Sequence, residues 1–432
     1  MKAKCDCIVI GAGPAGLTAA LVLAQAGIDV TVLERGQYPG SKNLFGGVLY
    51  SKGLEQLLPE FWREAPVERP VTRWTIGFMD PDSVFSLDFK STRFLEKPYN
   101  AFTVLRAKFD RWYSEKAEEA GVTIVNETLV EDLLWDQDRV VGVKTGRAEG
   151  ELFADVVIAA DGVNSVIKRK AGIPKDLTPQ DVSLGVKEIL SMSSETINTV
   201  FSLTGDEGIA QTFVGSATSH VPGGGFIYTN KNSLSVGVVT KLASLSEKGV
   251  RPEELLENFK NHPLIRPLIK DAEPREYSAH LIPEGSRQQN ASLCKDGLLV
   301  VGDAAGFTLS TGIRVEGANY AIMSGLAAGE AVKRAKEEKD FTQKGLSGYH
   351  KLMSEYGLTA DFKKFRHAGR FLKNPRLYED YPEIACQLAE SMFTVEPGPK
   401  KGLYALARER IKGRVSPAQI LRDIFDAWRG LA

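Results

Sequence analysis

Cysteine is scarce in this chain of 432 residues: Cys5, Cys7, Cys294 and Cys386 are the four, and no two form a C-x-x-C pair. An iron–sulfur or zinc framework of clustered cysteine ligands is therefore excluded. Cys5 and Cys7 alternate across a short apolar stretch, where packing in a reducing compartment accounts for them. The five histidines show no i, i+4 pairing, so no metal site is read from them. An excess of either charge is also missing, since 54 Lys and Arg face 55 Asp and Glu for a net charge of −1, which argues against a general nucleic-acid binder. No apolar run reaches the roughly 18 residues needed to span a bilayer, so any membrane contact is peripheral. Met1 leads almost directly into an apolar strand, so no signal peptide is expected and the setting reads as cytoplasmic.

What is present begins at once. Ile8, Val9 and Ile10 suit a buried parallel strand, and Gly11, Gly13 and Gly16 then form a G-x-G-x-x-G turn into a helix ending near Gly27. Each glycine has a separate role: Gly11 permits the tight turn, Gly13 lets a pyrophosphate reach the backbone, and Gly16 lets helix and strand pack closely. The helix N-terminus, opened by Pro14 and Ala15, offers free N–H groups and partial positive charge to the phosphates. A second strand, Ile28 to Leu33, delivers Glu34 about 20 residues on, where a carboxylate can accept ribose hydroxyls.

Further along, Gly40, Gly46 and Gly47 make a loop whose backbone could lie close to a flat ring, a mobile surface loop being the plainer alternative. Residues 66–105 alternate apolar positions, including Trp74, Ile76 and Phe78, as antiparallel strands do. Arg106 opens a helix with Phe109, Trp112, Tyr113 and Ala117 on one face and Gly121 at its end. Residues 122–130 read as a third parallel strand, followed by a hairpin and a return strand ending in Asp161-Gly162. From about Leu177 to Pro283 short alternating strands predict a second, antiparallel sheet. Residues 297–301 return to the nucleotide unit and end in Gly302-Asp303-Ala-Ala-Gly306, and residues 341–432 look helical.

Three separated strand ends thus share one ligand. The first holds pyrophosphate and adenosine, Asp161-Gly162 closes over the nucleotide, and Asp303 can accept from a ribityl chain. FAD is long enough to touch all three, whereas NAD has no ribityl chain.

At this point the residues resemble the two-dinucleotide-fold flavoproteins of the glutathione-reductase-like second group, which include aromatic hydroxylases and geranylgeranyl reductases. The carriers are the N-terminal glycine turn, VVIAADGVNS at 156–165 and LLVVGDAAGF at 298–307. The narrower resemblance is to FixC-type subunits, similar to electron-transfer-flavoprotein:quinone oxidoreductase, carried by GSKNLFGGVLY at 40–50, GGGFIYTNKNSLSVGVV at 223–239 and the region Gly302 to Gly325. It implies an α/β fold with an FAD-binding Rossmann-like parallel sheet, an antiparallel second domain and a helical C-terminal region. The expected divisions are 1–65, 101–176 and 284–340 for the FAD-binding domain, 66–100 and 177–283 for the quinone or substrate domain, and 341–432 for the helices.

The resemblance further implies an FAD oxidoreductase that accepts electrons from electron-transfer flavoprotein subunits and passes them to a quinone. Larger single-chain relatives carry a cysteine-rich 4Fe–4S domain, which this sequence lacks, so a separate ferredoxin-like 4Fe–4S protein is the implied partner. The cofactor residues carried over are Gly11, Gly13, Pro14, Ala15, Gly16, Glu34, Arg35, Gly46, Gly47, Arg106, Val130, Asp161, Gly162, Gly302, Asp303, Gly312 and Ile313. No catalytic acid or base is named, because flavin electron transfer needs no side-chain nucleophile. One departure stands out: hydroxylases and geranylgeranyl reductases place a P-x-x-G-x-G loop after the GDAAG turn, where this sequence has LSTGIRVEG. The helix after Gly317 could still favour the anionic reduced ring through its N-terminus.

Two other readings remain open at this stage, a prenyl reductase on the same scaffold and a flavin relay or assembly subunit without its own quinone site. The basic segment 361–378, with Phe362, Phe365, Phe371 and Leu372 interleaved among Lys and Arg, could lie on the inner face of the cell membrane, or be a solvated or partner-docking face.

Overall fold

The structure, a computed structural model, describes residues 4–42, 46–173, 177–284, 292–312 and 314–431. Its organising strand is Lys4–Ile10, whose residues from Cys7 to Ile10 are buried. It pairs in parallel with Val30–Leu33 on one side and Glu151–Ala159 on the other. Thr123–Val125 extends the first side and Leu298–Val300 the second, both parallel. The strand order therefore reverses beside Lys4–Ile10. The carboxyl ends of the strands at such a reversal are the place where open parallel sheets take their ligands.

Two helices cover this sheet and press on one another. Pro14–Gln25 and the long helix Ala318–Glu338 meet through small residues: a side chain at Gly325 would run into the Ala15 carbonyl, and one at Gly329 into Val22. The first helix stops where expected. Ile28 donates to the Leu23 carbonyl and Gly27, at φ +73°, to that of Ala24, so the last carbonyls are satisfied as the chain turns back into the sheet. The hairpin of Val130–Asp136 and Arg139–Thr145 hangs antiparallel from Glu151–Ala159.

The second sheet runs, in order, Glu273–Pro283, Val182–Ser191, Ser233–Lys241, Gly223–Thr229, Gly208–Gly215, Val67–Met79, Ala101–Val104 and Val48–Tyr50, with Val84–Lys90 paired to Val67–Met79. Its pairings are antiparallel except that of Gly208–Gly215 with Val67–Met79, which is parallel. Strand side chains alternate between faces. One face buries Val186, Ile227, Val236 and Val238 with Ile197 and Phe201 of helix Ser194–Phe201 and Leu255, Leu256 and Phe259 of helix Pro252–Asn261. The opposite face looks back to the glycine loop of the nucleotide layer.

The C-terminal region is helical, as its sequence suggests, but one expectation about it changes. Within 361–378, Phe362 meets Phe307 and Tyr320 edge-on at 5.7 and 5.3 Å, and Leu372 is buried beside Gly312. These two side chains anchor the segment to the protein and leave little surface for a lipid boundary, while Phe365 and Phe371 are half-buried. Apolar side chains do face outward elsewhere in the region, among them Phe393, Val395 and Tyr404, and on helix Pro417–Leu431 they line up: Leu421, Ile424, Phe425 and Trp428 are 52–69% exposed at i, i+3, i+4 and i+7 spacing, one stripe along the helix. Arg376 fixes this helix by two 2.6 Å hydrogen bonds to the Asp423 carboxylate, and the Tyr381 hydroxyl donates a third at 2.5 Å.

Candidate functional site

The glycine turn has the geometry its sequence calls for. Gly11 sits at φ +102°, and a Cβ there would press on the Ala160 carbonyl at 2.5 Å. One at Gly16 would collide with the Gly11 carbonyl oxygen. At Gly13 a Cβ would meet nothing within 4 Å, so the turn leaves open space at the helix start. Gly13 is the N-cap of Pro14–Gln25 and brings no side-chain cap, and the first turn holds no acidic residue. Unfilled backbone donors beside open space make a cradle for an anion such as a pyrophosphate.

Glu34 closes the same corner. Its buried carboxylate accepts from the Ala12 amide at 2.9 Å and the Gly36 amide at 2.6 Å, one bond per oxygen. Each oxygen retains a lone pair for a hydroxyl. The Thr128 amide donates to the Glu34 carbonyl, which brings the start of Val130–Asp136, with Val130 buried, against this acid. Arg35 is exposed.

Asp161 serves mainly its own turn. The Ser165 hydroxyl donates to it at 2.6 Å and the Ile167 amide at 3.1 Å, so its carboxylate shapes the loop that Gly162 enters at φ +80°. Its Cα would lie 3.4 Å from a Cβ at Gly11, which places this loop directly against the glycine turn. Gly302, at φ +59°, abuts Ala15 on the other flank and donates its amide to the Ser324 hydroxyl at 2.9 Å.

Asp303 and Arg106 form the charged floor. Burial pushes the Asp303 carboxyl above its usual range, against the pull of Arg106 and the Thr308 hydroxyl. Burial would pull the Arg106 guanidinium down, yet Asp110, one helical turn on, and Asp303 hold it above its usual range. Gly46, at φ +104°, would place a Cβ 3.5 Å from the Arg106 guanidinium, and a Cβ at Gly47 would press on the Tyr228 ring at 2.6 Å. The glycine loop therefore lies between the nucleotide layer and the second sheet. Gly312, at φ +80°, packs against Leu372, and Ile313 lies outside the described residues.

Sequence reading missed the groups that the second sheet contributes. Lys187 is 2% exposed and its ammonium reaches toward the Gly46 carbonyl at 3.5 Å. Burial pulls it down to about 8, Glu276 opposing and Arg106 assisting. Burial, with Arg106 and Arg35, likewise lowers His280 to about 4 and so keeps it neutral near pH 7. Next to these lie Tyr228, stacked with Phe226 at 4.8 Å, and Tyr50, stacked with Trp74 at 6.1 Å. A lysine inside the alternating run VSLGVKEIL was the available signal, since a charge inside such a strand needs a reason.

Comparisons with known proteins agree with this geometry. The FAD binding domain family matches residues 4–339, and the ETF-QO/FixC family C-terminal domain matches residues 368–431. The chain is similar to the "Probable electron transfer flavoprotein-quinone oxidoreductase YdiS" of Escherichia coli K12, with 40% identity covering 99% of this chain and 98% of that one. "Protein FixC" of the same strain is 39% identical over 94% of this chain and 98% of its own. A solved geranylgeranyl bacteriochlorophyll reductase-like protein from Thermoplasma acidophilum shares the fold, with a TM-score of 0.73 at 18% identity over 98% of this chain and 99% of that one.

Proposed function

The chain belongs to the ETF-QO/FixC family and is an FAD-dependent oxidoreductase, and from that premise we propose that it accepts electrons from an electron-transfer flavoprotein and passes them to a membrane quinone, with a separate ferredoxin-like 4Fe–4S protein as partner. The observation that carries the reading is the near-complete overlap with both E. coli relatives, through the C-terminal domain as well as the nucleotide layer.

In this reading Gly11, Gly13 and Gly16 with the start of Pro14–Gln25 hold the pyrophosphate, and Glu34 holds the adenosine ribose. Asp303 and Arg106 would take the ribityl side, and the backbone of Gly46 and Gly47 would face the ring. The bound FAD supplies the redox chemistry, storing an electron pair between donor and acceptor. The division into cofactor, quinone and helical parts is part of the proposal, except that Val48–Tyr50 and Ala101–Val104, expected in the cofactor part, pair into the second sheet through Val67–Met79; the acceptor would meet the ring on the inner face of that sheet. The outward stripe Leu421, Ile424, Phe425 and Trp428 supports peripheral contact with the inner face of the cell membrane, because such a face buries its apolar side at a lipid boundary.

The test is anaerobic. Purified chain carrying FAD is mixed with reduced electron-transfer flavoprotein and a short-chain quinone, with and without the 4Fe–4S partner, while flavin bleaching and quinol are followed. Quinol formation that requires the flavoprotein donor supports the reading. A chain whose flavin is reduced by that donor and never reoxidised by quinone, with all partners present, ends it.

A further inference from the structure

The register of the second sheet lines up one continuous row across seven strands: Ser278, Lys187, Gly237, Phe226, Thr212, Ile76 and Leu87, each beside the next. The neighbouring row on the same face runs Ser235, Tyr228, Ala210, Trp74 and Phe89. The strip is polar at one end and apolar at the other. At its polar end stand Lys187, Ser278 and, one position along the same strand face, His280. At its other end Leu87 and Phe89 are 55% and 58% exposed on the edge strand Val84–Lys90.

Two observations at the polar end point to a ligand. The Ser278 hydroxyl and the His280 Nε2 are buried, and among the described residues neither has a hydrogen-bond partner. A buried polar atom without a partner forfeits its hydration and gains nothing for it, and such atoms mark sites that something else completes. In the middle of the strip, Gly237 leaves room for the Phe226 ring, which lies over it beside Lys187; a Cβ at Gly237 would overlap the end of that ring. The Gly46 carbonyl holds this end of the strip against the glycine loop where the flavin ring lies in the reading above.

We propose that this strip seats the quinone, its tail over Ile76, Trp74, Leu87 and Phe89, and one carbonyl oxygen at Lys187, whose ammonium gives that oxygen a proton. Over one turnover the quinone gains two electrons and two protons. Both electrons and one proton come with the reduced cofactor; the second proton comes from Lys187, whose N–H bond breaks as the O–H bond forms. The neutral amine is then reprotonated from water. Ser278 and His280 orient the head group, His280 as a neutral ring. Among the described residues the charged and titratable groups facing Lys187 include Glu276 and His280 from strand Glu273–Pro283 and Arg106 with its partner Asp110 from the helix Arg106–Glu119. Arg106 disfavours a second cation and makes the ammonium a readier acid.

The inference rests on quinone as the acceptor, and the experiment separates the two. FAD-loaded wild type, K187M and K187R are photoreduced and mixed with a short-chain quinone and, separately, with ferricyanide, which takes electrons without protons. Quinone reduction falls about 10²-fold or more in K187M, the range expected for loss of a positioned acid, while ferricyanide reduction shifts only by the small factor that the altered flavin potential sets. K187R stays slow because a guanidinium does not give up its proton, yet holds the quinone KM of wild type. The wild-type quinone rate declines as pH rises through about 8, and this limb is absent in K187M. Equal losses with both acceptors, or a pH limb that survives in K187M, overturns the assignment.

A second readout needs no acceptor. The flavin midpoint potential of wild type, plotted against pH, changes slope near 8 and that of K187M does not, because the ammonium lies beside the ring. If wild type reduces ferricyanide and no quinone, the functional reading fails. The slope then decides for Lys187 alone, and a plot identical in the variant overturns its placement.

Discussion

Arg106 and Asp110 stand one helical turn apart and are joined by two hydrogen bonds of 2.7 and 2.8 Å, with side-chain exposures of only 9% and 1%. An ion pair this far from water is expensive to form and more expensive to break. It is the support on which Gly46 and Asp303 rest, so its integrity can be read both as stability and as cofactor affinity.

Asp110→Ala removes the guanidinium's principal partner while leaving the cation buried. A loss of roughly 3–5 kcal/mol in unfolding free energy is expected, together with weaker FAD retention on gel filtration. Urea denaturation of the variant measures the first. A midpoint equal to wild type would mean that water reaches the pair.

The three turn glycines give different outcomes. Gly13→Ala places a methyl in open space, so the variant melts with wild-type stability and loses FAD. Gly16→Ala forces the helix off the Gly11 carbonyl and melts early even without cofactor. Paired apo-protein melts and FAD titrations distinguish a cradle from a mere tight turn, since only a cradle separates folding from binding at Gly13.

Arg376 and then Tyr381 hold the Asp423 carboxyl at about 2, below its ordinary range, while in the unfolded chain it titrates near 4. A depressed carboxyl contributes stability that is fully present above about pH 4 and is lost as pH falls toward about 2. The stability gap between wild type and Asp423→Asn is therefore widest above pH 4 and closes below it. Hydrogen exchange of residues 417–431, measured across that range, follows the release of the helix.

Replacing Leu421, Ile424, Phe425 and Trp428 together by serine leaves melting and FAD content close to wild type, because these side chains are mostly exposed. Sedimentation with vesicles containing anionic lipid should drop at least tenfold. Retained vesicle binding would move the contact elsewhere on the surface.

The parts of the site that could be read from the sequence are those where local backbone forces the residue. Gly11 and Gly16 are required by contacts within a few residues and one adjacent strand, so their spacing alone announces the turn. Lys187 and His280 could not be placed this way, because what brings them together is a register between strands about ninety residues apart in the chain. The parallel pairing of Gly208–Gly215 with Val67–Met79 is equally invisible to local pattern. Phe362 misled for the same reason: its neighbours in sequence are basic, but Phe307 and Tyr320 supply its surroundings. The stripe on 417–431 is legible as four apolar residues at helical spacing, though it carries no charge cluster as dense as that of 361–378.

The chain leaves the glycine loop at Gly47 and within one residue is hydrogen-bonded into the second sheet, Val48 opposite Thr103 and Tyr50 opposite Ala101. A clamshell movement that separated the two layers would have to tear that edge pairing first. Among the described residues the two layers are therefore tied at one edge, so any widening of the gap between them has to hinge about that edge rather than part the layers evenly.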